Sequence, residues 1–333
     1  MQFPEHATSA FPAKENMLDQ KINTNASFTS NRCFGQELQN FAPESPLQKS
    51  YQPENLPTTD SFESEEIEPD HPFNLRGYGE IILNNLIAKE TQFGPLGDYM
   101  DIQEDINKRM RAILMDWLVD VSMKFKLKPT TLLSSANLID RYLARRSIKR
   151  QNLQLLGIAC LMIISKFEEI YPPLVEKYVT VCANAYTRQE ILNMEAEILD
   201  TIGFGLTQTS SYSFFSLFNQ KLLIEDKPFA FVHYILETSL LEYSMLKYSN
   251  LTLACGAIFL TNKIFKCGDW TQDLFDMSKL EEKDVKRCAK ELYLVMLKAD
   301  KCSLDAIKRK FSMEKYHEVS KYKIEKVSGK GNK

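Results

Sequence analysis

The chain has 333 residues, of which 44% are hydrophobic and 26% charged, and a formal net charge of −3. That balance describes a soluble globular protein of two domains or one large one, and it argues against nucleic-acid binding by bulk charge. The seven cysteines form no CxxC pair and the four histidines lie far apart, which suits reduced intracellular thiols and leaves no metal site; the opening MQFPEHATSA lacks the features of a signal peptide.

Residues 1–74 hold eight of the thirteen prolines, with 4 basic against 12 acidic residues. Such a segment buries too little apolar surface to offset its ordering entropy, so a disordered tail is expected. The rest of the chain then carries +5. Residues 75–109 read as an N-terminal helix beginning near Gly79, with Ile81, Ile82 and Leu86 on one face, and then an extended link. From Met110 to Phe125 the periodicity predicts a helix with two apolar stripes. Met110, Ile113, Leu114, Trp117 and Val121 form one; Ala112, Met115, Val119 and Met123 form the other, with Asp116 and Asp120 between them. One stripe serves the core. The other is either a second core layer or a partner surface.

A further helix is expected over 129–146. The next stretch, LQLLGIACLMIISKFEEIYPP (153–173), is apolar all round yet too short to span a bilayer, so it is a central core helix, ended by its prolines. Glu168 and Glu169 oppose the macrodipole at its C-terminus, and a broken local rule marks a candidate site. A short helix follows Pro173, and a capping box at Thr187 and Glu190 opens one running to Asp200. Later helices are expected over 211–223, 228–246, 250–265, 271–277 and 281–299. LTLACGAIFL (251–260) resembles LQLLGIACLM (153–162) 98 residues earlier. The fold class is therefore all-α: two tandem five-helix units over 110–203 and 204–302, each around an apolar central helix, with a basic extension over 303–333.

Four charged residues fall on apolar helical faces: Arg111, Asp140, Lys166 and Glu195. A buried unpaired charge is costly, so two pairs are expected, Arg111 with Asp140 and Lys166 with Glu195. The first reads as a structural pair fixing helix register. The second stands beside Glu168 and Glu169 at a helix end, which makes it a binding-site candidate.

MRAILMDWL (110–118), IDR (139–141), SKFEEIYPP (165–173) and NME (193–195) resemble, in order, the cyclin box of mitotic A/B-type cyclins. The resemblance spans roughly residues 75–320, is denser in the first unit, and leans to the A type in its KFEEI wording. It implies a non-enzymatic regulatory subunit, without cofactor, that binds and allosterically activates a cyclin-dependent kinase in cell-cycle progression. By that resemblance Lys166 and Glu195 bond the kinase backbone near its PSTAIRE-type helix. Phe167, Glu168, Ile170, Ile163, Leu199 and Leu206 line the same face, and Tyr78 lies on the N-terminal helix that also touches the kinase. Met110, Ile113, Leu114, Trp117, Leu153 and Gln154 match the hydrophobic patch that docks RxL substrates and inhibitors, and Asp120 the acid that faces the peptide's basic side chain.

In the tail, Lys14-Glu15-Asn16 resembles a KEN degron. The segment from Arg32 to Asn40 resembles a destruction box with Gly35 where that pattern has leucine. Both imply recognition by the anaphase-promoting ubiquitin ligase. Nuclear and cytoplasmic location is expected, with no nucleic-acid or membrane partner. The alternatives are a cyclin-fold transcription factor of the TFIIB kind, which would want a basic face and usually a zinc ribbon, and a helical scaffold, which would leave the Lys166/Glu195 cluster unexplained. No Gly-rich phosphate loop, histidine cluster or nucleophile elbow speaks for an enzyme.

Overall fold

Caps and prolines cut the chain into helices. A computed structural model describes residues 78–93, 98–267 and 271–322. The tail and its degron candidates lie outside these residues. Helix α1 covers Tyr78–Phe93, and a 3₁₀ turn covers Tyr99–Ile102. Helix α2, Lys108–Phe125, starts at Asn107, whose side chain accepts from two backbone N–H groups, and ends at Lys126 in the left-handed region, φ 55°. Helix α3, Pro129–Leu143, opens with proline at its first position, where no donor is needed. Helices α4 (Leu153–Glu168), α5 (Val175–Val181) and α6 (Arg188–Ile202) complete the first unit. The Thr187/Glu190 capping box is formed, and Gly203 closes α6 with φ 61°.

The second unit is α7 (Ser211–Leu222), α8 (Asp226–Ser239), α9 (Asn250–Phe265), α10 (Thr271–Ser278) and α11 (Glu282–Ala299). A short α12, Ala306–Phe311, follows. No strand occurs among the described residues, and none of their helices is long and apolar enough to cross a membrane.

Helix α4 is the axis of the first unit and packs against α2, α3, α5 and α6; α9 packs against α7, α8, α10 and α11. Every residue from Leu153 to Ser165 is buried, and each large apolar side chain there contributes about 1.5–3 kcal/mol of transfer free energy. Close approach requires Gly157, where an added Cβ would sit 2.7 Å from Leu114 Cδ1. The units meet where α3 packs on α7, and α12 bridges α2 of the first to α8 of the second.

One expected element divides. The helix expected over 228–246 ends at Ser239, and a separate 3₁₀ turn covers Tyr243–Lys247. Thr238 and Ser239 bond back to the carbonyls of Tyr234 and Leu236, and the Leu240 carbonyl is taken by Arg111 Nη1 at 2.7 Å. The backbone N–H groups of Leu240, Leu241 and Glu242 reach back only three residues, so the i→i−4 ladder stops there.

Candidate functional site

The last turn of α4 emerges from the core. Lys166 stands on it, where a cation suits the helix C-terminus, and its Nζ donates to both Glu195 oxygens on α6, at 2.6 and 2.8 Å. The pair is not buried: its side chains are 45% and 17% exposed. The expected desolvation argument therefore does not hold for it, and as a surface pair it contributes only about 0–1 kcal/mol to stability.

Large apolar side chains close to this pair in the chain are open to solvent. Phe167 is 50% and Ile170 79% exposed, while Leu199 and Leu206 are half-buried. Tyr78 is exposed at the start of α1. Ile163 is different: it is buried in the core, because it lies a turn before the helix emerges. It is thus removed from the surface the resemblance assigned it to.

The two acids at the α4 exit have distinct roles. Glu169 Oε1 accepts from the Lys128 backbone N–H at 2.8 Å and from the Thr131 hydroxyl at 2.5 Å, so it caps the start of α3. Lys128 Nζ donates to the Glu168 carbonyl at 2.9 Å. These bonds fix the exit and account for Glu169 against the dipole rule. Glu168 is left half-buried on the face, and burial, with the like charge of Glu169, raises its carboxyl above the ordinary range despite Lys128.

The α2 stripe is mostly closed. Leu114 and Trp117 are 0% and 2% exposed, and Ile113, Leu153 and Gln154 are also buried; only Met110 and Asp120 remain half-open. The stripe assigned to peptide docking is thus largely core: Leu114 packs on Gly157 of α4, and α12 packs on α2 through Asp116 and Asp120, which lie between the two stripes. The Ala306 N–H donates to buried Asp116 at 2.9 Å, and Arg309 Nη2 bonds both Asp120 oxygens at 2.8 and 3.1 Å. Lys310 reaches buried Glu237 on α8, and His233 Nε2 lies 2.7 Å from the same carboxylate oxygen.

Arg111 and Asp140 meet in a buried two-pronged pair, Nε–Oδ1 2.6 Å and Nη2–Oδ2 2.7 Å. Tyr99 donates to Asp140 Oδ1 at 2.6 Å, and Tyr243 receives the backbone N–H of Tyr99 at 2.9 Å. Burial alone would depress the Arg111 guanidinium, but Asp140 outweighs it and raises its pKa above the ordinary value. The sequence pattern gave no signal for Tyr99 or Tyr243, which are 144 residues apart. Among the described residues no cluster of His, Cys, Asp and Glu could hold a metal ion.

Comparison with known proteins places this geometry. Residues 81–207 match the family model of the cyclin N-terminal domain, and residues 209–325 that of the cyclin C-terminal domain. Cyclin-A1-4 of Oryza sativa subsp. japonica is 38% identical over 72% of this chain and 70% of its own length. Cyclin-A1-1 of Arabidopsis thaliana is 37% identical over 72% of this chain, and the match spans only 54% of that relative. The G2/mitotic-specific cyclin-A of Hydra viridissima is 37% identical over 74% of this chain and 60% of its own. This chain thus spans about half the length of several curated relatives. A viral cyclin from herpesvirus saimiri shares the fold, with a TM-score of 0.57 at 22% identity over 63% of this chain and 97% of that one. Two tandem five-helix units, two consecutive family matches and A-type relatives above 35% identity agree: the chain belongs to the cyclin family, on its A-type side.

Proposed function

We propose that this chain is the regulatory subunit of a cyclin-dependent kinase, and that the kinase docks on the α4 exit. One observation carries the reading: Phe167 and Ile170 lie open to solvent around the Lys166–Glu195 pair, on a platform fixed by Glu169. Exposed apolar anchors beside an oriented charge pair suit a helix with apolar side chains whose backbone carbonyls and N–H groups meet Lys166 and Glu195. The chain itself does no chemistry. Its binding energy biases the kinase toward the arrangement in which its active-site Lys–Glu pair is formed.

Recruitment of RxL substrates belongs to the same proposal, through Met110 and Asp120, and it requires Arg309 and α12 to yield. The tail, through Lys14-Glu15-Asn16 and the segment from Arg32 to Asn40, supplies timed destruction by the anaphase-promoting ubiquitin ligase in S, G2 or M phase, and the complex works in nucleus and cytoplasm. The deciding experiment is Lys166→Ala with Glu195→Ala. Co-purified kinase activity from dividing cells should vanish while the melting temperature stays within about 2 °C, as for an exposed pair. Full kinase activation by the double variant would refute the docking face.

A further inference from the structure

Beyond Ile170 the chain runs through Tyr171, Pro172 and Pro173, which wall a cleft of about 310 Å³. Lys124 and Lys126, at the end of α2, and Lys177, on α5, rim it. Tyr171 is 92% and Leu174 70% exposed at its edge. The acids nearest in sequence are engaged elsewhere: Glu169 caps α3, and Glu176 pairs with Arg188 at 3.3 Å. Among the described residues none of the three lysine ammonium groups has an ion-pair partner. Three uncompensated positive charges around one cleft repel each other, and acids brought by a partner would relieve that repulsion.

We propose that this cleft extends the kinase-docking face and receives an acidic segment of the catalytic subunit, one that also lays an apolar side chain on Tyr171 and Leu174. This rests on the kinase reading above. Ile170 and Tyr171 are neighbours in the chain, so a protein seated on Phe167 and Ile170 reaches the cleft without leaving the surface. A bare anion would leave Tyr171 and Leu174 in water, so the apolar edge favours a peptide over free phosphate. The lysines act mainly on encounter, since exposed charges steer association more than they hold the complex.

Lys126 offers a clean probe. Its φ of 55° is the region that favours glycine, so Lys126→Gly removes a charge and relieves the backbone together. The test measures association of the full chain with the cyclin-dependent kinase catalytic subunit it activates, at several salt concentrations between about 50 and 500 mM, where screening changes strongly. The variant is Lys124→Gln, Lys126→Gly, Lys177→Gln. Its on-rate at low salt should fall about tenfold and its salt dependence should flatten, with a smaller change in off-rate. Equal on-rates and parallel salt dependence in wild type and variant would overturn the cleft assignment and leave the docking face standing. A wild-type chain that binds no such kinase would bring down both. If deleting residues 1–74 abolished the difference between wild type and variant, the occupant would be the chain's own acidic tail, and the kinase assignment would fall.

Discussion

Replacing Arg111 by alanine tests the energetics of the first unit directly. The side chain is 1% exposed and makes three bonds: two to Asp140 and one to the Leu240 carbonyl. Its loss leaves a buried carboxylate held, among the described residues, by Tyr99 alone. Removing one partner of a buried pair costs about 3–5 kcal/mol, and the orphaned Leu240 carbonyl adds roughly 1–3 kcal/mol. At about 2–4 °C per kcal/mol for a body of this size, the melting temperature should fall by roughly 10 °C or more. Thermal unfolding followed by circular dichroism measures this. The partner control is Arg111→Met with Asp140→Leu, which removes both charges and fills the volume. It should recover part of the loss but not all, because the Tyr99 hydroxyl then lacks its acceptor. A single alanine variant melting within about 2 °C of wild type would refute the buried-pair argument.

Trp117→Ala should behave as a core truncation, costing about 3–5 kcal/mol in urea unfolding, because its ring is 2% exposed; a loss of peptide docking with unchanged stability would contradict that burial. Glu237 gives a pH dependence. Burial pushes its carboxyl up, but Lys310 and His233 more than compensate and hold it below its ordinary 4.5. Its contribution is therefore complete above pH 4.5 and is lost as the pH falls through the lower, folded value. Hydrogen-exchange protection at residues 306–321, taken relative to the intrinsic rate at each pH, should fall on acidification below pH 4.5, and Glu237→Leu with Lys310→Met should remove that step. Deleting residues 1–74 should prolong the protein's lifetime through mitotic exit without reducing kinase activation, as followed by immunoblot after release from arrest; normal disappearance of the shortened chain would rule out the tail as the timing element.

The sequence was most informative where one physical rule acted alone. An all-round apolar stretch can only be a central helix, so α4 and α9 were visible at once. The cost of an unpaired buried charge was enough to match Arg111 with Asp140 across 29 positions. The same rule matched Lys166 with Glu195 for a weaker reason than supposed, since helical periodicity does not report that the last turn leaves the core. Glu168 and Glu169 looked alike in the sequence, yet one caps α3 and the other faces outward. The docking of α12 on Asp116 and Asp120 was not legible, because a six-residue helix has too few turns to show which way its apolar side points. Tyr99 and Tyr243 were missed because their bonds depend on tertiary register alone.

The clasp made by α12 also has a timetable. Asp116 and Ala306 are 190 positions apart, and closing a loop of that length costs roughly 5 kcal/mol before any contact repays it. At about 5–20 residues per second, a ribosome that has finished α2 needs roughly 10–40 s to reach α12. Throughout that interval the nascent first unit carries Asp116 without its Ala306 donor and Asp120 without Arg309. The window is long compared with hydrophobic collapse, so α2 must settle on α4 well before α12 exists to bond Asp116 and Asp120.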